Sequence, residues 1–218
     1  MKVLVTGASN GIGKATAQKF LDLGHNVIGI DVEQATVHNT RYTHYVCDVR
    51  DTLPDIDGVE IIVTSAGIQL PDKDALNVNL NGTVNVVEKY SFQNAIKAVI
   101  TIASASGRNG AEFPLYTASK GGVISYTKNV AMRLAKYGAT ANSVSPGGVK
   151  TKINKPITDN PKLWHAVLNE SLLHKWCEPE EIAEWIYFLS VINKSMTGED
   201  LLIDNGEILK SNFIWPEK

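Results

Sequence analysis

Two periodicities alternate along the chain. Short, dense apolar runs fall at residues 2–6, 25–31, 42–46, 60–64, 98–102, 139–144 and 201–203, and each reads as a strand. Between several of them the apolar residues recur every three or four positions. One such stretch passes through Ala15, Ala17, Phe20 and Leu21, another, at 72–90, through Leu76, Leu80, Val84, Val87 and Tyr90. A third, at 115–137, carries Val123, Ile124, Thr127, Val130, Ala131 and Leu134, and a last one runs from Glu178 to about Leu189. Strands alternating with amphipathic helices predict an α/β domain, and the first strand is of the kind buried in a parallel sheet. Residues 50–59 are short for a crossover helix and contain Pro54, so only a turn or irregular helix is expected there. Residues 152–177 mix Pro156, Pro161, Trp164 and Trp176 with polar positions and show neither period.

Composition narrows the picture only a little. The chain has 218 residues, 44 % hydrophobic and 20 % charged, which suits one globular domain with a sizeable core. Its net charge of −2 supplies no field to draw it to nucleic acid or an anionic membrane. No apolar run approaches the roughly 20 residues of a membrane span, and the first residues already read as a strand rather than a leader. Cys47 and Cys177 lack metal-site or disulfide spacing, and the five histidines contain no i,i+4 pair. A cytoplasmic protein with free thiols and no metal is expected.

The candidate chemistry begins at the first strand. Gly7-Ala8-Ser9-Asn10-Gly11-Ile12-Gly13 lies between that strand and a helix, the context of a phosphate-binding loop. Such a loop brings backbone N–H groups to a pyrophosphate, whose charge also meets the positive helix N-terminus. The second strand ends in Asp31, 18 residues beyond Gly13, close to the ~20 expected of the acid that bonds an adenosine ribose. A carboxylate there repels a 2′-phosphate, and no Lys or Arg stands at Asn10, Val32 or Glu33 to offset it, so NAD is favoured over NADP. Near mid-chain, Tyr116 stands four residues before Lys120, on the same helix face. A phenol beside an ammonium group can move a proton onto or off an oxygen. Asn79 sits inside a helical pattern that does not favour it, and Ser104 follows a buried strand.

These residues occur in the order of a known family. The markers are Thr6-Gly7-x-x-x-Gly11-x-Gly13, Asp48-Val49, Ala66-Gly67, Asn79-x-x-Gly82, Ser104, Tyr116-x-x-x-Lys120, Pro146-Gly147 and Asp204-x-Gly206. The chain resembles the short-chain dehydrogenase/reductases from Met1 to about Gly206. The resemblance implies a Rossmann-like, doubly wound parallel sheet of about seven strands. It implies an NAD-dependent oxidoreductase acting on a secondary alcohol or ketone, of the 3-oxoacyl, hydroxysteroid or polyol type. Tyr116 would be the general acid or base, and Lys120 would lower its pKa and bond the nicotinamide ribose. Ser104 would hold and polarise the substrate oxygen, while Asn79 would keep its helix open and bind a relay water. Asp48 and Val49 would contact adenine, Val149 and Thr151 the nicotinamide carboxamide. The family's homodimer or homotetramer would form through the helix at 115–137.

Departures from the family are also visible. The chain is some 30 residues short of typical members, and the shortfall is placed between Asp48 and Asn79, which should trim the rim of the site. Residues 152–177 are expected to be a substrate lid, with Leu163, Trp164, Leu168, Leu172, Leu173 and Trp176 available to line an apolar pocket. The tail Phe213-Ile214-Trp215 is expected at a subunit contact or a neighbouring pocket. The competing reading is a non-catalytic NAD-binding regulator or scaffold. A larger C-terminal domain, as sugar-nucleotide epimerases use, is absent from the pattern.

Overall fold

The computed structural model describes residues 1–209, so the tail at 213–215 lies outside the described residues. Seven strands form one sheet: β1 (Lys2–Thr6), β2 (Asn26–Asp31), β3 (Tyr42–Val46), β4 (Ile61–Thr64), β5 (Ala98–Ile102), β6 (Thr140–Pro146) and β7 (Asp200–Ile203). Their order is β3-β2-β1-β4-β5-β6-β7, and every pairing is parallel. The order reverses at β1, which places a crevice outside the C-terminal ends of β1 and β4.

Strand side chains alternate between faces, so a strand buried on both sides feeds two cores. In β1, Val3 and Val5 join Ile61, Val63 and Ile100 on one face, where α1 (Gly11–Asp22) contributes Ala17, Phe20 and Leu21. Ile182 and Ile186 of α7 (Pro179–Tyr187) complete that layer. Leu4, Ile62 and Val99 point the other way, onto Val86, Val87 and Tyr90 of α2 (Gly82–Tyr90) and Val130 and Leu134 of α4 (Pro114–Leu134). The short helix between β5 and α4 is α3 (Ser106–Asn109), and α5 (Lys155–Thr158) and α6 (Pro161–Leu168) lie in the segment after β6.

No helix spans the β3–β4 connection, where only a turn or irregular helix is expected, and none spans β2–β3 either. The strap between β3 and β4 sinks Leu53 and Val59 into the α2 core in place of a helix face. Its backbone carbonyls, which a helix would have satisfied internally, accept hydrogen bonds from α2 and the turn after it. Asn85 Nδ2 donates to Val49 O and Asp51 O at 2.8 and 3.0 Å, Lys89 Nζ to Leu53 O at 2.6 Å, Tyr90 Oη to Pro54 O at 2.6 Å and Gln93 Nε2 to Val59 O at 2.9 Å.

The stretch expected as one helix over 72–90 is broken into a 3₁₀ turn at Asp72–Asp74, a π-helical stretch at Leu76–Asn81 and then α2. A π-bulge widens the backbone at Asn79, the polar residue that fits a regular helix interior poorly. Among the described residues no helix is long and apolar enough to cross a membrane.

Candidate active site

A cleft of about 920 Å³ runs along the C-terminal ends of the strands, and it gathers most of the residues singled out from the sequence. Gly7, Asn10, Gly11, Ile12, Asp31, Asp48, Val49, Ala66 and Gly67 line one half. Ser104, Tyr116, Lys120, Pro146, Gly147, Val149 and Thr151 line the rest. Three residues stand behind this wall. Gly13 is pressed against the loop it follows: a Cβ there would lie 2.2 Å from Gly7 O. Ser9 is fully buried and its N–H donates to Asp31 Oδ2 at 2.9 Å, so it orients the acid. Asn79 is the third.

The glycine loop is built for close approach. Gly7 has φ +67°, and a Cβ on it would lie 2.8 Å from Ala66 N, so no other residue fits between the β1 and β4 ends. Thr6 braces the same junction, its Oγ1 accepting from Ala66 N at 3.1 Å. Asp31 takes a second N–H, from Glu33, at 2.9 Å. Bare backbone beside a fixed carboxylate, ahead of a helix N-terminus, fits a dinucleotide's pyrophosphate and ribose. The sequence reading saw no cation here, yet Lys152 arrives from the segment after β6 and pairs with Glu33 at 3.1 Å. Asp48 is engaged with Arg50 Nη2 at 2.6 Å, which holds its carboxyl below the ordinary range.

Tyr116 and Lys120 sit one turn apart near the start of α4. Asp72 fixes that start: its carboxylate accepts from Tyr116 N at 2.7 Å and Leu115 N at 3.2 Å, a negative charge on a helix N-terminus. Lys120 is buried, its Nζ donating to Ile102 O at 2.8 Å and lying 5.9 Å from the Tyr116 ring centroid. Burial pushes the lysine down to about 8, with the Glu112 charge opposing. Burial likewise pushes Tyr116 up to about 12 and Glu112 adds to the rise; a Ser104 hydroxyl turned to donate pulls the other way. Desolvation of the phenolate sets the direction, and Lys120, expected to lower the tyrosine's pKa, is not among the groups that shift it.

Asn79 is 1 % exposed and its amide is fully engaged. Oδ1 accepts from Ile68 N at 2.8 Å, and Nδ2 donates to Ile68 O at 2.9 Å and to Ser119 Oγ at 3.0 Å. Both amide protons are used, so the side chain pins the loop after β4 and offers no donor to a relay water.

Several lining residues had no signal at fixed spacing. Gln69, Ser106, Glu112, Glu170 and Glu207 also line the cleft. Burial, followed by the charges of Asp204, Glu170 and Glu112, raises the Glu207 carboxyl, against a backbone bond from Gly148. Of the six lid residues expected to line the pocket only Trp176 does so; Ile153, Ile157 and Val167 take the place of the others. Leu163, Leu172 and Leu173 are exposed, and Trp164 packs edge-on against Trp176 at 5.2 Å. The segment leaves and returns at one point, where Lys150 N donates to Cys177 O and Cys177 N to Gly148 O, each at 2.9 Å.

A parallel sheet with this order, carrying the glycine loop at its switch point, defines a Rossmann-type α/β protein. The chain belongs to the short-chain dehydrogenase/reductase family of oxidoreductases: a family model described as enoyl-(acyl carrier protein) reductase matches residues 7–207. It is 29 % identical to glucose 1-dehydrogenase of Gluconobacter oxydans, over 97 % of this chain and 93 % of that one. It is 28 % identical to 3-oxoacyl-[acyl-carrier-protein] reductase of Thermotoga maritima, over 94 % and 97 %. The crystal structure of a short chain dehydrogenase family protein from Francisella tularensis superposes with TM-score 0.84 at 26 % identity, covering 96 % of this chain and 99 % of that one.

Proposed function

We propose that the protein is an NAD-dependent oxidoreductase that moves a hydride between nicotinamide and a secondary alcohol or ketone. The observation that carries this reading is the convergence of Ser104, Tyr116 and Lys120 on the cleft that also holds the glycine loop and Asp31. Bound NAD would supply the hydride acceptor; the protein's own groups supply position and a proton. Tyr116 exchanges that proton with the substrate oxygen, and Ser104 holds the same oxygen in place. Lys120, in contact with the cleft but anchored on Ile102 O, sets the charge beneath the tyrosine. Asn79 acts at one remove, holding Ile68 and Ser119 so that the loop after β4 and the start of α4 keep their spacing.

NAD over NADP is supported by two carboxylates, Asp31 and Glu33, at the end of β2, with Lys152 already paired to the second. Residues 152–177 serve as a lid hinged where Gly148 and Lys150 bond Cys177. A cytoplasmic homodimer or homotetramer, through the outer face of α4, goes with this reading. Nothing in the cleft favours the non-catalytic alternative.

The test is turnover of a panel of alcohols and ketones, run separately with NAD and NADP. Activity with NAD, lost by about 10²-fold or more in Tyr116→Phe while NAD binding persists, is the expected result. A panel with no turnover, or full activity in Tyr116→Phe, refutes it.

A further inference from the structure

Ser104 does not end the polar chain of the site. Its Oγ lies 2.7 Å from Ser106 Oγ, Ser106 Oγ donates to Glu112 Oε1 at 3.1 Å, and Gln69 Nε2 donates to Glu112 Oε2 at 2.6 Å. Ser104 and Ser106 are buried, 7 % and 2 % exposed, while Glu112 opens to solvent at the mouth of the cleft. Glu112 also holds φ +74°, a left-handed conformation unfavourable for a residue with a Cβ. Strain of that kind collects at functional positions.

The chain has a direction, and the carboxylate sets it. An ionised carboxylate only accepts, so the Ser106 proton points at Glu112. Ser106 then meets Ser104 with a lone pair, so the Ser104 proton points at Ser106. The Ser106 N–H donates to Ser104 Oγ at 3.2 Å and takes up one of its two lone pairs. One lone pair is left, enough to accept from one donor on the cleft side, the Tyr116 hydroxyl or a substrate hydroxyl.

We propose that Ser106 and Glu112 are positioning residues that set the polarity of Ser104: an acceptor toward the Tyr116 hydroxyl or, when substrate is bound, the substrate hydroxyl while Glu112 is ionised, a donor once that charge is removed. The proposal rests on the oxidoreductase reading of the cleft. The acceptor form holds an alcohol and keeps Tyr116 a phenol. The donor form holds a ketone and stabilises the phenolate. Ionising Tyr116 therefore requires the hydroxyls to turn round, which an ionised Glu112 resists. The other titratable groups facing Glu112 are Tyr116 and Lys120 of α4 and Glu207 beyond β7; Gln69, after β4, is neutral.

Three variants test it. In Glu112→Gln the Gln69 donor faces the new amide oxygen, which leaves the amide NH₂ aimed at Ser106 and reverses the chain. Ser106→Ala keeps the charge of Glu112 but cuts the link, and Ser106→Thr restores a hydroxyl. Two quantities are read: the tyrosinate absorbance titration of Tyr116, with Tyr116→Phe as the blank, and the KM values of a matched alcohol and ketone. Glu112→Gln and Ser106→Ala should both lower the Tyr116 pKa and raise the alcohol KM relative to the ketone KM by about threefold to tenfold, the span of one hydrogen bond. Ser106→Thr should return both toward wild type. If Glu112→Gln moves the titration and Ser106→Ala leaves it in place, the effect is charge alone and the proposal falls; it falls equally if neither moves. Should Ser106→Ala not fold, Ser106→Cys, a weak donor, carries the same expectation. Because the titration needs no turnover, an inactive wild type would overturn the oxidoreductase reading while the chain's polarity was still decided.

Discussion

Lys152 and Glu33 form an ion pair, Nζ to Oε1 3.1 Å, that joins the segment after β6 to the end of β2. Asn10 Nδ2 supports it by donating to Glu33 Oε2 at 2.9 Å, and together the two partners hold the Glu33 carboxyl below its ordinary range. All three residues line the cleft. Both members of the pair are exposed, so its value is small and screened by salt, but its position controls which charge a cofactor's ribose meets.

Freeing Lys152 should therefore relax cofactor choice. In Glu33→Gln the ammonium loses its partner while Asp31 stays in place. The ratio of kcat/KM for NADP over NAD should rise by roughly twofold to fivefold, the range of an exposed ion pair, and the rise should shrink in high salt. Steady-state kinetics with both cofactors at two ionic strengths checks it. An unchanged ratio would mean that Asp31 alone decides.

The strap between β3 and β4 should couple stability to cofactor affinity. Tyr90→Phe leaves Pro54 O without its donor and should cost about 1 kcal/mol, with little effect on NAD binding. Asn85→Ala removes one amide that serves both Val49 O and Asp51 O, and Val49 lines the cleft. It should cost about 1–3 kcal/mol and also weaken NAD binding, by roughly threefold or more. Urea denaturation beside calorimetric titration separates the two variants. Equal NAD affinity in both would show that the strap serves stability only.

How much of this was legible follows from where the determinants sit in the chain. The glycine loop and the Tyr116–Lys120 pair are local patterns, set by one turn and one helical repeat, and the alternation of Val3, Leu4 and Val5 between two cores is a period of two. The strap was legible only as an absence of helix, because the groups that replace a helix lie on α2, more than 30 residues away. Lys152 escaped notice because its partner is 119 residues distant in the chain. Asn79 was flagged for the right reason, its poor fit to a helix, but its partners Ile68 and Ser119 are set by tertiary packing. The lid's apolar residues carry no legible period: Leu163 lies on α6 and Leu172 and Leu173 in the turn after it, and their exposure is set by tertiary packing.

Substrate charge should matter. Glu112, Glu170 and Glu207 line the cleft and lie close enough to act on one another's charge, while Arg50 and Lys152, the other described lining cations besides Lys120, are paired with Asp48 and Glu33. An anionic substrate would meet three carboxylates there, and among the described lining residues the buried Lys120 is the only cation without a carboxylate partner. Neutral polyols or amino alcohols should exceed hydroxy acids of similar size by at least about tenfold in kcat/KM, equivalent to about 1.4 kcal/mol. Glu207→Gln should narrow that gap. A preference for hydroxy acids in wild type would contradict the argument.

Lys120 should be a stability cost that the site tolerates for its chemistry. Burial pushes its pKa down to about 8 from the ordinary 10.5. Between those values the unfolded chain binds a proton that the folded one does not, so stability rises with pH across that window. Below it the folded protein carries a buried ammonium, and the full penalty is present: about 3 kcal/mol, from 1.36 kcal/mol per pKa unit. Tyr116 acts in the opposite sense but higher, losing stability as pH rises from 10 to about 12. Lys120→Met removes the ammonium and also its bond to Ile102 O, worth about 1 kcal/mol. At neutral pH the variant should thus be more stable than wild type by about 2 kcal/mol while losing activity, and the advantage should vanish as the pH approaches the ordinary lysine value. Denaturation midpoints of both proteins across that range provide the check, and a difference that stays constant with pH would show that Lys120 is not held near neutrality in the fold.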